Sequence, residues 1–211
     1  GIAISGSEEA FARRMNATAV AMGMTNTNFV VMHGLTTQGH YSTAQDMTIL
    51  GRHVIYDFPQ YYNLFSRRSA DAGVREVYNT NRRFLDAYEG ADGIKTGFTN
   101  AAGFNLTASA VRGDVRIIAT MFGGTSTAQR NARVAELLDM GFARANENVV
   151  ARAPDAPAYS AEIVGDAAPA DGAGRTVRVT GQVLVALRPI ARPGTAGETM
   201  LVAAATESVD D

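Results

Sequence analysis

The 211-residue sequence contains no cysteine and a single lysine, since 18 of its 19 basic side chains are arginines. Without cysteine, disulfides and cysteine-ligated metal sites are excluded. No run of about 18 apolar residues occurs, so no segment of this sequence has the composition of a membrane-spanning helix. A net charge of −2 argues against a nucleic-acid partner. The hydrophobic content of 46% is sufficient for the core of one large domain, or of one domain with a tail.

The single lysine, Lys95, lies in the run DGIKTGFT over residues 92–99. Lysine presents a compact ammonium on a flexible stem, whereas arginine presents a planar fork. The next residue, Thr96, adds a hydroxyl, and Gly97 leaves the backbone open to close approach. This order suits an extended anionic ligand that adds to the strand through main-chain hydrogen bonds. The alternative is a strand end with a solvated lysine.

Capping and periodicity predict three helices. Ser7 has the chemistry of an N-cap, and apolar residues follow it at helical spacing up to Gly23. Ser42 opens a capping-box pattern, with a helix expected to end before Pro59. A long third helix is predicted from Thr125 or Ser126 to residue 144.

Alternation predicts an antiparallel hairpin directly after Lys95. The strands are expected over residues 103–111 and 115–122, with residues 112–114 forming the turn. Residues 67–83 are predicted to be mostly loop or irregular strand. From about residue 149 to 174 the chain is rich in Ala, Pro, Asp and Gly, which is typical of a linker. Residues 175–211 contain a few strand candidates and are predicted to form a small β-rich tail of unknown role.

Several blocks between about residue 5 and residue 147 resemble one family in content and order. The family is that of the low-molecular-mass penicillin-binding proteins, the D-alanyl-D-alanine carboxypeptidases of the bacterial periplasm. Its Lys-Thr-Gly motif matches residues 95–97. The matching blocks are MGMTNT (22–27), HGL (33–35), GHYSTAQDM (39–47), DFP (57–59), DGIKTGFT (92–99) with AG (102–103), and LLDMGF (137–142).

The resemblance implies an α/β (α+β) fold of the penicillin-binding protein and β-lactamase-like type, with an antiparallel sheet flanked by helices. It also implies a serine-type carboxypeptidase that removes the terminal D-alanine of peptidoglycan stem peptides through an acyl-enzyme. Penicillins and other β-lactams would acylate the same serine. No cofactor and no metal are implied. A D,D-endopeptidase, a β-lactamase and a non-catalytic peptidoglycan-binding module stay open as alternatives.

The family's nucleophile motif, Ser-x-x-Lys, has no counterpart in this sequence. The only lysine is Lys95, and the residue three positions before it is Asp92. Ser-x-Asn is also missing, and we interpret the Tyr-x-Asn sequence at residues 61–63 as accidental. In the family both motifs precede the part that these residues match. Residues 1–148 are therefore expected to be the C-terminal portion of a catalytic domain, inactive without an N-terminal portion as partner, with membrane attachment left open.

The resemblance implies a set of substrate-binding residues. Lys95 and Thr96 would hold the substrate carboxylate, and Gly97 would let the substrate backbone approach. Phe98 would form a wall of the site at a position where relatives often carry histidine. The full set is Lys95, Thr96, Gly97, Arg130, Phe98 and Thr99, with Arg130 as a second candidate anion anchor. Thr80 replaces an arginine that some relatives carry, although Arg82 and Arg83 are close in sequence.

Other polar residues are interpreted as structural. No metal-binding motif accompanies the histidines, so a metal site is not expected. Asp46, which follows the capping box, is also interpreted as structural. Three acidic residues near Lys95 are expected to form a solvated loop. The histidines are His33, His40 and His53, and the acidic residues are Asp86, Glu89 and Asp92.

Overall fold

A computed structural model describes residues 1–145 and 152–157 of the chain. The predicted domain boundary at residue 148, most of the predicted linker and the predicted tail over residues 175–211 lie outside these residues. Residues 152–157 form neither helix nor strand. In the part of the chain that is described, no helix combines the length and the apolar character needed to cross a bilayer.

Two helices open the chain, α1 over Ile2–Ser5 and α2 over Glu8–Ala21. The predicted cap of α2 is confirmed, because the Ser7 hydroxyl oxygen accepts a hydrogen bond from the Ala10 N–H at 3.1 Å. Of the apolar residues that follow Ser7 at helical spacing, Ala19 is buried, and Phe11, Met15 and Met22 are partly buried. The buried positions of α2 are all alanines.

Three helical segments follow: α3 (Ala44–Asp57), α4 (Pro59–Tyr62) and a 3-10 helix (Asn63–Ser66). The predicted cap of α3 is wrong by one residue. Thr43, not Ser42, accepts the Asp46 N–H at 3.1 Å. The Ser42 hydroxyl instead lies 2.8 Å from the hydroxyl of Thr27, which ties the loop before α3 to an earlier loop.

A short hairpin and a helix lead into the main sheet: β1 (Ser69–Asp71), β2 (Glu76–Tyr78) and α5 (Arg82–Ala87). β1 and β2 pair antiparallel. The prediction of loop or irregular strand over residues 67–83 therefore allowed for strand here but did not identify the hairpin. Its strands have three residues each and are mostly exposed, so they lack the alternation that marks a strand with one buried face.

The main sheet and its last helix are β3 (Ala91–Thr99), β4 (Gly103–Arg112), β5 (Val115–Gly124) and α6 (Thr127–Arg144). The strand order is β3-β4-β5, and both pairs are antiparallel. The predicted hairpin beside Lys95 is confirmed. The predicted cap Ser126 is also confirmed, since its hydroxyl accepts the Gln129 N–H at 3.1 Å.

Helices cover both faces of this sheet. On one face α6 buries Val134 and Leu138 against Leu106 and Ala108 of β4. On the other face α3 packs through Gly51, whose missing side chain leaves room for neighbours on β3, β4 and β5. The described residues therefore form an antiparallel sheet between helical layers, which confirms the predicted α/β class.

Candidate functional site

An open cleft of about 370 Å³ lies where the edge strand β3 meets the N-terminal end of α6. Five of the six residues predicted to bind substrate line it, and Thr99 does not. The Thr99 hydroxyl instead accepts the Ala102 N–H at 3.0 Å in the turn after β3. The lining residues are Thr80, Lys95, Thr96, Gly97, Phe98, Phe104, Thr127 and Arg130.

Lys95 presents an exposed ammonium at this edge. It lies opposite Thr107 of β4, and its Nζ donates to the carbonyl oxygen of Thr96 at 2.6 Å. Among residues 1–145 and 152–157, no carboxylate forms a salt bridge with it. A lysine with only a neighbouring carbonyl as partner keeps donors free for an anion from outside.

The Thr96 hydroxyl lies 2.6 Å from the hydroxyl of Thr80. In such a pair one hydroxyl donates to the other, and the acceptor keeps its own hydrogen for a further partner. The pair can therefore offer one O–H to a ligand anion. The sequence alone does not predict this contact of Thr80, because nothing local links residues 16 positions apart.

Arg130 lies in the first turns of α6 and is only 4% exposed. Its Nε and Nη2 donate to the side-chain oxygen of Asn131 at 3.1 and 2.8 Å. Burial lowers the pKa of the guanidinium, but arginine stays charged in proteins. No carboxylate pairs with it in the described part of the chain. A buried cation with only an amide acceptor is costly unless an anion joins it, and the start of a helix adds a further positive field.

An aromatic pair forms the apolar side of the cleft. The rings of Phe98 and Phe104 face each other across β3 and β4 with centroids 4.4 Å apart, and Phe98 is 54% exposed. The neighbouring Gly97 is exposed, and a Cβ added to it would meet only Asn105 at 4.0 Å. Packing inside the protein therefore does not require this glycine, which leaves the strand edge unobstructed.

Arg82 and Arg83 do not contribute to the cleft lining. Both are exposed on α5, where the Arg82 guanidinium lies 4.9 Å from the centroid of the Tyr78 ring. They therefore do not take the place of the arginine that some relatives carry at the position of Thr80.

The histidines make structural contacts. His40 Nδ1 accepts the Val30 N–H at 3.0 Å, and His33 Nδ1 accepts the Leu35 N–H at 3.1 Å. Burial first, and then the charge of His33, lowers the pKa of His40. His53 Nδ1 lies 2.9 Å from Asp57. Within the described ranges no three His, Cys, Asp or Glu side chains are grouped closely enough to hold a metal ion.

Asp46 has the structural role predicted for it. Its buried carboxylate accepts the Asn26 N–H at 2.8 Å and the Thr27 hydroxyl at 2.6 Å. The carboxylate therefore holds the loop around residues 26–27 against the start of α3.

The prediction of a solvated acidic loop is wrong for Asp92. Asp86 pairs with Arg68 in an exposed salt bridge, and Glu89 is exposed. Asp92, however, belongs to β3, and its carboxylate pairs with Arg116 at 2.7 Å. Sequence reasoning missed this because the partner lies 24 residues away on β5.

Comparisons with known proteins place the chain in a family. The family model described as D-alanyl-D-alanine carboxypeptidase matches residues 2–126. The D-alanyl-D-alanine carboxypeptidase DacF of Bacillus subtilis is 42% identical over 146 residues. That match covers 67% of this chain and 37% of the relative, so the chain spans less than half the length of the protein that it resembles.

Solved structures of penicillin-binding proteins are also similar to this chain. The structure of penicillin binding protein 5 from Haemophilus influenzae is 36% identical, with a TM-score of 0.64 over 67% of this chain and 42% of the other. The structure of penicillin-binding protein D2 from Listeria monocytogenes in its ampicillin-bound form is 28% identical. Its TM-score is 0.58 over 65% of this chain and 62% of the other.

Proposed function

Because the chain belongs to the D-alanyl-D-alanine carboxypeptidase family, we propose that its cleft binds the terminal carboxylate of a peptidoglycan stem peptide ending in D-Ala-D-Ala. The observation that carries this proposal is Arg130. It is a nearly fully buried cation with no carboxylate partner among the described residues, and it shares one cleft with Lys95 and Thr96. A bound carboxylate would supply the missing negative charge.

In this proposal, donors on two sides of the cleft bind the carboxylate. The Lys95 ammonium and a hydroxyl of the Thr80–Thr96 pair would donate to the carboxylate from the strand side. Arg130 would do so from the helix side. Each charge-assisted hydrogen bond of this kind contributes about 1.5–3 kcal/mol. The open backbone edge at Gly97 would let the peptide, or a β-lactam in its place, lie against β3.

The chemical step that we propose for the full-length protein is acyl transfer to a serine that these 211 residues do not supply. That serine attacks the carbonyl of the last peptide bond, D-alanine leaves, and water releases the shortened peptide from the acyl-enzyme. β-Lactams would acylate the same serine. The proposed place of action is the periplasmic side of the bacterial cell envelope.

A second candidate is a non-catalytic peptidoglycan-binding module. It is favoured by one observation, that the sequence has neither Ser-x-x-Lys nor Ser-x-Asn. Such a module would retain the cation-lined cleft and bind stem peptides without cleaving them. The two candidates differ in whether the full-length gene product forms a covalent adduct with penicillin.

The test uses the full-length gene product with a fluorescent penicillin and with a peptide ending in D-Ala-D-Ala. We expect covalent labelling and release of D-alanine. The variant Arg130→Gln should lower the rate of labelling about tenfold or more, since a charged hydrogen bond is lost. Arg133→Gln is the matched control, because Arg133 lies on the same helix but is exposed and paired with Glu136 at 2.7 Å.

The control should stay within about twofold of the unmodified protein. Binding of the peptide without labelling or release would support the non-catalytic module. Equal rates for the Arg130 and Arg133 variants would contradict the proposed role of Arg130, even if the protein is an active carboxypeptidase.

A further inference from the structure

The strand that carries Lys95 contains a β-bulge just before it. Ala91 pairs with Ala110, but the next paired residue of β3 is Gly93, which lies opposite Ser109. Asp92 is therefore an extra residue with no partner of its own in β4. Bulges of this kind re-aim the side chains that follow and are common next to functional sites.

The bulge decides which residue of β4 lies beside Lys95. With it, Lys95 lies opposite Thr107. If the pairing of Ala91 with Ala110 continued without the extra residue, Lys95 would lie opposite Leu106. Leu106 is fully buried on the face that packs against α6. Because paired residues point to the same face of a sheet, a shift by one residue would move the ammonium from the face of Thr107 to the face of Leu106, opposite which Thr96 now lies.

The Asp92 side chain is held from two directions. The Tyr62 hydroxyl donates to Asp92 Oδ1 at 3.0 Å, and Arg116 Nη1 donates to Oδ2 at 2.7 Å. Arg116 also donates to the Ser109 hydroxyl at 2.6 Å, which ties the partner residue of Gly93 into the same group. Both charged side chains are at most 30% exposed.

The packing around these bonds is tight. The Arg116 guanidinium lies 5.2 Å from the centroid of the Tyr62 ring. A Cβ placed on Gly93 would come within 2.5 Å of the Tyr62 hydroxyl. The bulge is thus clamped between α4 on one side and β5 on the other.

We propose that Asp92, held by Tyr62 and Arg116, is a positioning residue that fixes β3 at the bulge and so presents Lys95 to the substrate carboxylate. The proposal rests on the proposed function of the cleft. Asp92 is not among the residues that line the cleft. Its effect on recognition acts through Lys95.

A second group of one Tyr, one Arg and one Asp offers a matched control. Near the end of β4, Tyr88 donates to Asp139 Oδ1 at 2.7 Å, and Arg112 Nη2 donates to the same oxygen at 2.9 Å. This second group has the same three residue types but is more exposed and includes no residue of β3. Asp139→Asn therefore removes similar contacts without touching the strand that carries Lys95.

The experiment compares Asp92→Asn, Tyr62→Phe and Asp139→Asn in the full-length gene product. The rate constant of acylation is measured with benzylpenicillin and with its methyl ester, which lacks the free carboxylate. Hydrogen–deuterium exchange is followed in the peptide that covers residues 91–99. Tyr62→Phe removes a single donor, so it keeps the test usable if Asp92→Asn folds poorly.

We expect Asp92→Asn to slow acylation by the free acid about tenfold and acylation by the ester much less, so the preference for the acid falls. Tyr62→Phe should have a smaller effect in the same direction. Exchange in residues 91–99 should rise in both variants. Asp139→Asn should leave the preference within about twofold of its normal value. In a Lys95→Gln background, Asp92→Asn should change the acid rate little further.

The inference is overturned if Asp92→Asn matches Asp139→Asn in the acid preference, or if its effect multiplies fully with that of Lys95→Gln. If the unmodified protein is not acylated at all, the proposed function fails. The exchange measurement still decides the inference in that case, because unchanged protection of residues 91–99 in Asp92→Asn would show that the clamp does not hold β3.

Discussion

At the residue scale, the cleft combines two cations of different character. The Lys95 ammonium is exposed and mobile on its stem, so it can follow a ligand that enters from solution. The Arg130 guanidinium is buried and held by Asn131, so its donors are fixed in place before a ligand arrives. Together they suit an anion that is first attracted at the open edge and then seated deeper in the cleft.

Substitution of Lys95 tests whether acylation requires a compact ammonium at this position. In the full-length gene product we expect Lys95→Gln to slow acylation by a penicillin about 10- to 100-fold, since a charged hydrogen bond is lost. Lys95→Arg keeps the charge but not the shape, so its acylation rate should fall between those of the unmodified protein and of Lys95→Gln. Arg83→Gln, at an exposed position outside the cleft, is the control. Full activity of Lys95→Arg would contradict a specific requirement for lysine.

His40 predicts a dependence of stability on pH. Its Nδ1 must be unprotonated to accept the Val30 N–H, and its pKa in the folded state lies below the ordinary value of 6.5. The contribution of His40 to stability is therefore complete above pH 6.5 and is lost as the pH falls through the lowered pKa. Thermal unfolding at pH 7.5 and 5.5 should show a larger loss for the unmodified chain than for His40→Asn, which does not titrate. Equal losses would contradict this role.

At the element scale, the parts that sequence predicts best are those with strong local signals. The strands of the β4–β5 hairpin were expected within two residues of their observed ends, because their apolar residues alternate around a clear turn. The Ser7 and Ser126 caps were found from their hydroxyl chemistry. The pairing of β1 with β2 was not predicted within the segment of loop or irregular strand, because short exposed strands carry no such alternation.

The parts of the site that the sequence does not predict are contacts between residues of distant elements. The family resemblance predicts Lys95, Thr96 and Arg130 as site residues, and their meeting at one cleft depends on how α6 packs on β4 and β5, next to the edge strand. The Thr80–Thr96 contact and the clamp on Asp92 each join residues from separate elements. No local pattern announces a partner on another element, so these contacts required the structure.

Gly141 shows how packing outweighs helix propensity in α6. A Cβ at this position would lie 2.6 Å from Ile117 Cγ2 of β5. Gly141→Ala gains about 1 kcal/mol in helix propensity but forces an overpacking cost of about 1–3 kcal/mol. We expect a net loss of about 1 kcal/mol in the free energy of unfolding, measured by urea denaturation.

Ala132→Gly serves as the control on the same helix, because this alanine is exposed and only propensity changes there. It should destabilise the chain by about 1 kcal/mol. A more stable Gly141→Ala variant would show that α6 can move away from β5 at little cost.

At the scale of the whole molecule, the described residues supply one wall of the proposed site. The sheet lies between helical layers, and its edge strand β3 carries the cations. The Ser-x-x-Lys motif of the proposed nucleophile has no counterpart in the sequence, because the only lysine belongs to Lys-Thr-Gly. In the proposed function, these residues therefore bind the substrate carboxylate, and bond cleavage requires a Ser-x-x-Lys motif that they do not contain.

This division predicts that the 211-residue chain by itself forms no covalent adduct with penicillin, whereas the full-length gene product does. Intact mass after incubation with penicillin measures the adduct directly in both. A stoichiometric adduct on the 211-residue chain, mapped to a serine, would contradict the assignment. Heat-denatured full-length protein is the control for non-specific reaction.

Because Lys95 lies within a paired strand, cleavage after this lysine can report on the opening of β3. A lysine-specific protease has a single cleavage site here, and the bond after Lys95 lies in the hydrogen-bonded part of β3. Cleavage requires that part of the strand to leave the sheet first, so its rate reports how often β3 opens. A ligand that binds only the paired strand would slow the cut in proportion to its occupancy. One protease and one gel can therefore measure binding to the cleft in the absence of any catalytic step.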